Sequence, residues 1–309
     1  EPMPLALAGV STFYTTEYYR LCRERLTDGG LVSQWIPLHN GLDLETVRGL
    51  FATFVDVFPE STAWFINADM LLIGSNEPLR LDYGRIERRL TENDQLREAL
   101  AAVYLPDIPE LLAAFFMGRE NLAKFAAGAG HMTDDLPWAE FIAPKLIHER
   151  NVADLLVELE PYRESVLPLL SVPEGSEGEA IREAVLRRHR AHVQDMQGLK
   201  SYYGSGPLGS PERHFRVSLE IDPGDANARY YIVEVLLARG RMFTAWDELD
   251  KAVPLLEEAR QWAPDRPEVL LALGDAYAAA DRSDDARAAY RSYLERGGRE
   301  ARAVSAVNP

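Results

Sequence analysis

The last hundred residues of this chain repeat themselves, and that most limits what the chain can fold into. Pro267 through Gly298 places Leu270, Leu273, Gly274, Tyr277, Ala286 and Tyr290 at helical spacing on two consecutive segments. Pro264 stands where a preceding unit would end, and Asp222-Pro223 closes an earlier one in the same way. The small residues Gly274 and Ala286 allow the paired helices to approach closely. From Pro223 to Pro264 is 41 residues, so this unit carries about two helical turns more than a repeat of ~34 residues. A unit of this kind cannot bury its apolar face alone and must stack on its neighbours.

This pattern resembles the tetratricopeptide repeat, which implies an all-helical, separable array from about residue 206 onward and a protein or peptide partner bound to it. The segments Pro173–Gly178 and Gly204–Pro211 read as linkers by composition. Residues 211–309 are therefore assigned to the repeats and residues 173–210 to a linker and connecting helix.

The first part follows another rule. Residues 16–27 read as a helix capped by Thr15 or Thr16, with Tyr18, Leu21, Cys22 and Leu26 on one face, stopped by Asp28-Gly29-Gly30. Leu31–Ile36 reads as a buried strand. Asp43 caps a second helix carrying Leu44, Val47, Phe51, Phe54, Val55 and Phe58 on one stripe. Thr62–Ile66 and Met70–Ile73 flank Asn67-Ala68-Asp69 and should pair as an antiparallel hairpin. Strands alternating with helices imply a mainly parallel sheet with a mixed edge, and further strands are expected before Glu1. Residues 83–160 read as helical, interrupted by a polar island from His131 to Phe141.

The charge narrows the function. With 33 basic and 49 acidic side chains the chain carries −16, which argues against nucleic acid or an anionic membrane as a partner. One cysteine, Cys22, excludes an internal disulfide and any multi-cysteine metal site. His189 and His192 are the histidines at i,i+3, and Arg187, Arg188 and Arg190 around them disfavour a cation there. The opening Glu1-Pro2-Met3-Pro4 reads as the inside of a longer chain.

Glu1–Tyr19, with Ala8-Gly9-Val10, Phe13-Tyr14-Thr15-Thr16 and Glu17-Tyr18-Tyr19, followed by Leu26–Trp35, resembles the second half of the spermidine synthase-like (polyamine aminopropyltransferase) family. Thr133–Phe141 resembles the same family's Thr-Asp-Asp-x-Pro segment. The likeness covers roughly residues 1–150. It implies an α/β fold of the Rossmann-like, S-adenosylmethionine-dependent transferase type, partial over residues 1–80 and continued by helices over 81–172, followed by the all-α array. It also implies transfer of an aminopropyl group from decarboxylated S-adenosylmethionine to a polyamine. No cofactor site is expected within the chain, since the family's glycine-rich donor loop lies upstream of the position of Glu1.

By position Glu1 resembles the carboxylate that holds and deprotonates the acceptor amine. Asp134, Asp135 and Trp138 are candidates for the cationic end of the substrate, and Gln34 could turn its amide toward the site. Each has a plainer role: a terminus for Glu1, a cap before Pro137 for the aspartates, packing for Gln34. The resemblance implies a cytoplasmic enzyme, or one at the cytoplasmic face of the inner membrane if membrane helices precede it. The alternative function is a scaffold without catalysis, whose repeats bind a protein or peptide.

Overall fold

The computed structural model describes residues 5, 7, 9–38, 42–146, 152–206 and 209–307. A 3-10 turn over Val10–Tyr14 leads into α1 (Thr16–Glu24), where the Thr15 hydroxyl accepts from the Tyr18 amide at 3.3 Å. β1 (Leu31–Ile36) is followed by α2 (Leu44–Val57), and Asp43 caps α2 through the Thr46 amide at 2.8 Å. β2 (Glu60–Ile66) and β3 (Asp69–Ser75) form the expected hairpin. At its tip Asn67 and Ala68 take φ of 51° and 64°. Positive φ at both turn residues gives a twist that matches the strands it joins.

The strand order corrects the parallel sheet expected from the alternation. The four-stranded sheet runs β1-β3-β2-β5, with β5 at Phe115–Met117, and every ladder in it is antiparallel. The physical reason is the hairpin. β1 and β2 run parallel to each other across the α2 connection, but β3 folds back between them and takes the hydrogen bonds of both. β1 pairs along one edge only among the described residues. A short parallel pair, β4 (Leu81–Asp82) with β6 (Leu170–Ser171), lies apart from this sheet. A Rossmann-like sheet is not established by these strands.

Helices follow: α3 (Tyr83–Glu92), α4 (Asp94–Ala102), α5 (Ile108–Ala113), α6 (Arg119–Ala126), α7 (Trp138–Leu146) and α8 (Val152–Leu159). α2 is the hub of the core. Val47, Leu50, Phe51 and Phe54 are fully buried, and the rings of Tyr19 and Phe54 meet edge to face at 5.1 Å.

The array comprises α9 (Ser176–Ser205), α10 (Glu212–Ile221), α11 (Ala226–Ala245), α12 (Leu249–Trp262), α13 (Pro267–Ala279), α14 (Ser283–Glu295) and α15 (Ala301–Val307). It packs as the pairs α9–α10, α11–α12 and α13–α14, with α15 laid on α14. One device recurs in all three pairs: a glycine on the first helix receives a large side chain of the second. A Cβ on Gly198 would lie 2.5 Å from Phe215; on Gly240, 2.4 Å from Leu256; on Gly274, 2.4 Å from Tyr290. The extra length of the middle unit lies in α11, which has 20 residues against 13 in α13, a difference of about two turns.

The array begins earlier than its composition suggests. A break at residue 211 would split the α9–α10 pair, and the Pro173–Gly178 segment already enters α9 at Ser176. Nor does the array stand apart. One continuous core runs from Val10 and Tyr14 through Leu155, Leu199 and Ile232 to Ala303. The expectation of a separable module is therefore replaced by a body in which α5 and α8 pack on α9.

Alanine in place of an interior helical glycine ordinarily stabilises a helix by about 1 kcal/mol. Gly274→Ala should instead lower stability by about 1–3 kcal/mol, because the new methyl overlaps the Tyr290 ring. Urea unfolding of the full chain followed by circular dichroism checks the sign.

Candidate functional site

Of the residues singled out from the sequence, Asp134 lies against the turn before α1, Gln34 lies on β1, Trp138 packs on α2, and Glu1 lies outside the described residues. Asp134 accepts a hydrogen bond from the Thr15 hydroxyl at 2.7 Å, and its own amide donates to Glu17 Oε2 at 3.0 Å. The aspartate thus holds its loop to the amino end of α1 and does not cap α7. Asp135 is exposed and has no side-chain partner among the described residues. The Trp138 indole donates to the His131 carbonyl at 3.2 Å and its ring lies on Gly49, where a Cβ would sit 2.5 Å away. Gln34 is half-buried on β1, and its amide donates to the Trp35 carbonyl at 3.3 Å. The Tyr14 hydroxyl donates to that same carbonyl, and burial pushes this phenol up to about 12.

Two residues of this cluster were not anticipated. Glu140 receives the Ser11 hydroxyl and the Gly9 amide, and these hydrogen bonds hold its carboxyl below the usual range. Both fall within segments flagged from the sequence, but their pairing across 129 residues leaves no local signal. As built, the cluster is a polar seam that fixes the 131–141 segment against α1.

A second cluster is deeply buried where α5, α9 and α11 meet. The Glu110 carboxylate, 1% exposed, pairs with Arg188 through one oxygen and with His192 Nε2 at 2.7 Å through the other. The first oxygen also accepts the Ala226 amide at 3.2 Å. Arg188 reaches Asp222 at 2.8 Å and Asp107 at 3.3 Å. Asp225 caps α11 through the Ala228 amide at 2.9 Å and accepts the Ser218 hydroxyl at 2.7 Å. Asp195 accepts from Asn227 at 3.1 Å, and burial and Asp225 push its carboxyl well above the usual range.

Glu110, His192 and Asp225 bring three ligand-type atoms within 4.8 Å of one another. Their lone pairs are already spent on Arg188, on two backbone amides and on Ser218. The facing carboxylates of Glu110, Asp225 and Asp195 outweigh the effect of burial and lift His192 to about 9, and a protonated imidazole cannot ligate a metal. His189, one turn away, is pulled down to about 4 by burial and by Arg163 and His192. The two histidines do not act together. The cluster is an ion-pair tie between the two parts of the chain.

The array offers a third surface. Along the seam of α11 and α13, Arg266 pairs with Glu234 and lies 5.4 Å from the centre of the Tyr230 ring, while the ring of Tyr104, from the loop before α5, lies tilted by 36° against Tyr230 at 4.2 Å. The Tyr231 hydroxyl donates to Asn67 at the hairpin tip, at 3.2 Å. The start of α11 is therefore covered by the chain itself. The last turn of α11 is not covered, and it leads directly to Trp246, 57% exposed, with Phe243 edge-on at 5.9 Å.

Residues 247–307 match the tetratricopeptide repeat family model. The match spans α12 to α15, and the glycine-keyed packing extends the same arrangement upstream to α9. No curated protein and no solved structure matches the chain. The aminopropyltransferase resemblance of residues 1–150 thus has no support from these comparisons.

His192 ordinarily titrates near 6.5 and is held near 9 in the fold, so its contribution to stability is complete below pH 6.5 and is lost as pH rises through 9. His192→Gln should lower the melting temperature at pH 6 and should flatten its decline between pH 6.5 and 9. Calorimetric melts of both proteins across that range provide the check.

Proposed function

We propose that this chain is a protein-interaction scaffold whose helical array binds a peptide or protein segment. The carrying observation is the tetratricopeptide match over residues 247–307, supported by three helix pairs built on one packing device. Arrays of this kind present extended surfaces made by successive helices. The end of α11 gives that surface an anchor. A large exposed aromatic side chain beside a second aromatic is the residue type that dominates binding energy at interfaces. Lys251, 5.4 Å from the Phe243 ring centre, is already paired with Glu248, and Asp247, Glu248 and Asp250 leave this end net negative, which favours a partner segment with a basic residue near its apolar anchor.

Selection of a displayed peptide library on the full chain tests this reading. Enriched peptides should carry an apolar anchor flanked by Lys or Arg, and Trp246→Ser should weaken them at least about tenfold while leaving the melting temperature unchanged. Failure of any peptide to enrich, or enrichment indifferent to Trp246→Ser, would contradict it.

One observation favours a second reading for the first part, a fragment of an aminopropyltransferase domain. β1 and β2 form a parallel crossover through α2, and the outer edge of β1 has no strand on it among the described residues. Leu31, on β1 itself, is 53% exposed, and Phe13, Leu21, Leu136 and Phe141 of the same part of the chain are exposed too. On this reading preceding sequence continues the sheet there and supplies the loop for decarboxylated S-adenosylmethionine, while Glu1, Gln34, Asp134, Asp135 and Trp138 face the polyamine. Calorimetry on the present chain should detect no donor binding. Micromolar binding would place the donor site elsewhere.

A further inference from the structure

The α3–α4 hairpin is only loosely joined to the body. None of its described side chains is buried. Between the hairpin and the start of α5 lies a cleft of about 370 Å³, against about 20 Å³ for the cavity beside His192. This is within the range of small-molecule sites, roughly 300–1,000 Å³. Leu90, Leu100, Leu105 and Ile108 give it an apolar floor, and Tyr83 and Glu87 stand at its side.

Among the described residues the charged side chains lining the cleft are net negative, Glu87 and Asp107 against Arg97. Arg97 is the one basic side chain lining it, and it is held by Asp94 at 2.7 Å and by the Leu90 carbonyl at 3.3 Å. Asp107 is engaged by the Glu110 amide at 2.8 Å and by Arg188 at 3.3 Å. Glu87 has no partner for its carboxylate among the described residues. The Tyr83 phenol is raised by burial and then by Glu87, Asp107 and Glu177, which reports the same negative field. A carboxylate without a partner beside an aromatic ring and an apolar floor suits one ligand chemistry, a cation attached to an apolar body.

We propose that this cleft binds an organic ammonium ion, its charged head between Glu87 and the Tyr83 ring and its alkyl or aryl body on Leu90, Leu100 and Ile108. The site is independent of the array and of the turn before α1.

Three probes sharing one apolar body test it on the full chain: phenethylammonium, phenethyl alcohol and phenylacetate, each titrated by calorimetry and by ligand-observed NMR. Phenethylammonium should bind more tightly than the alcohol, and phenylacetate should not bind. Glu87→Gln, an exposed substitution that leaves the fold intact, should weaken the ammonium about three- to fivefold and leave the alcohol unchanged. Leu90→Gln should weaken both. Equal binding of all three probes, or ammonium binding indifferent to both variants, would overturn the proposal.

Discussion

The Glu110 carboxylate is the interaction on which the rest of this structure depends. It lies on a helix of only six residues, yet it bonds to Arg188 and His192 on α9 and to the backbone amide that opens α11. A single buried acid therefore joins the sheet-containing part to the first two helix pairs of the array. Removing one member of a buried ion pair leaves the other charged and unpaired, at a cost of about 3–5 kcal/mol. The tie is mutual, since His192 keeps its proton only while Glu110 and Asp225 face it.

With that anchor in place, the array is built by steric fit. Gly198, Gly240 and Gly274 each leave a socket for Phe215, Leu256 and Tyr290. From the second pair to the third, both members advance by 34 residues, Gly240 to Gly274 and Leu256 to Tyr290. The first interval is longer, 42 and 41 residues. The surplus lies at the start of α11, where 14 residues precede Gly240 against 7 before Gly274 in α13, and it brings that end of the helix to Tyr104 and the hairpin tip. Trp246 lies six residues after Gly240, as Ala280 does after Gly274, so the exposed aromatic is independent of that insertion.

Local structure was legible wherever a side chain acts on its own backbone. Thr15 and Asp43 start α1 and α2 at the residues their types indicate, and Asn67-Ala68 turns the hairpin. Strand order was not legible, because alternation of strand and helix fixes direction but does not say whether a returning hairpin fills the gap. The Pro173–Gly178 segment read as a linker for its glycines, yet Gly178 is in α9, close enough to the Pro173 carbonyl that a Cβ would lie 1.8 Å from it. At the functional level, Asp134, Asp135 and Trp138 drew attention as an isolated polar island, and the structure uses Asp134 and Trp138 to pin that island in place. Of the buried cluster, His192 and Arg188 stood out as neighbours on one segment, but Glu110, 82 residues from His192 and unremarkable alone, left no trace. The cleft beside Glu87 is equally silent, being a space between helices that their sequences do not encode.

The central claim is that the two parts of the chain form one cooperative body held by Glu110. Native-state hydrogen exchange measured by mass spectrometry tests it most directly, through peptides covering 108–113, 185–199 and 226–237. In the unaltered protein these three should open with one common free energy. In Glu110→Gln the α5 and α11 peptides should open well below the α13–α14 peptides, because the tie is gone while the Gly274–Tyr290 pair remains. If the three segments already exchange with different free energies in the unaltered protein, and Glu110→Gln changes none of them, the two parts are independent and the account is wrong.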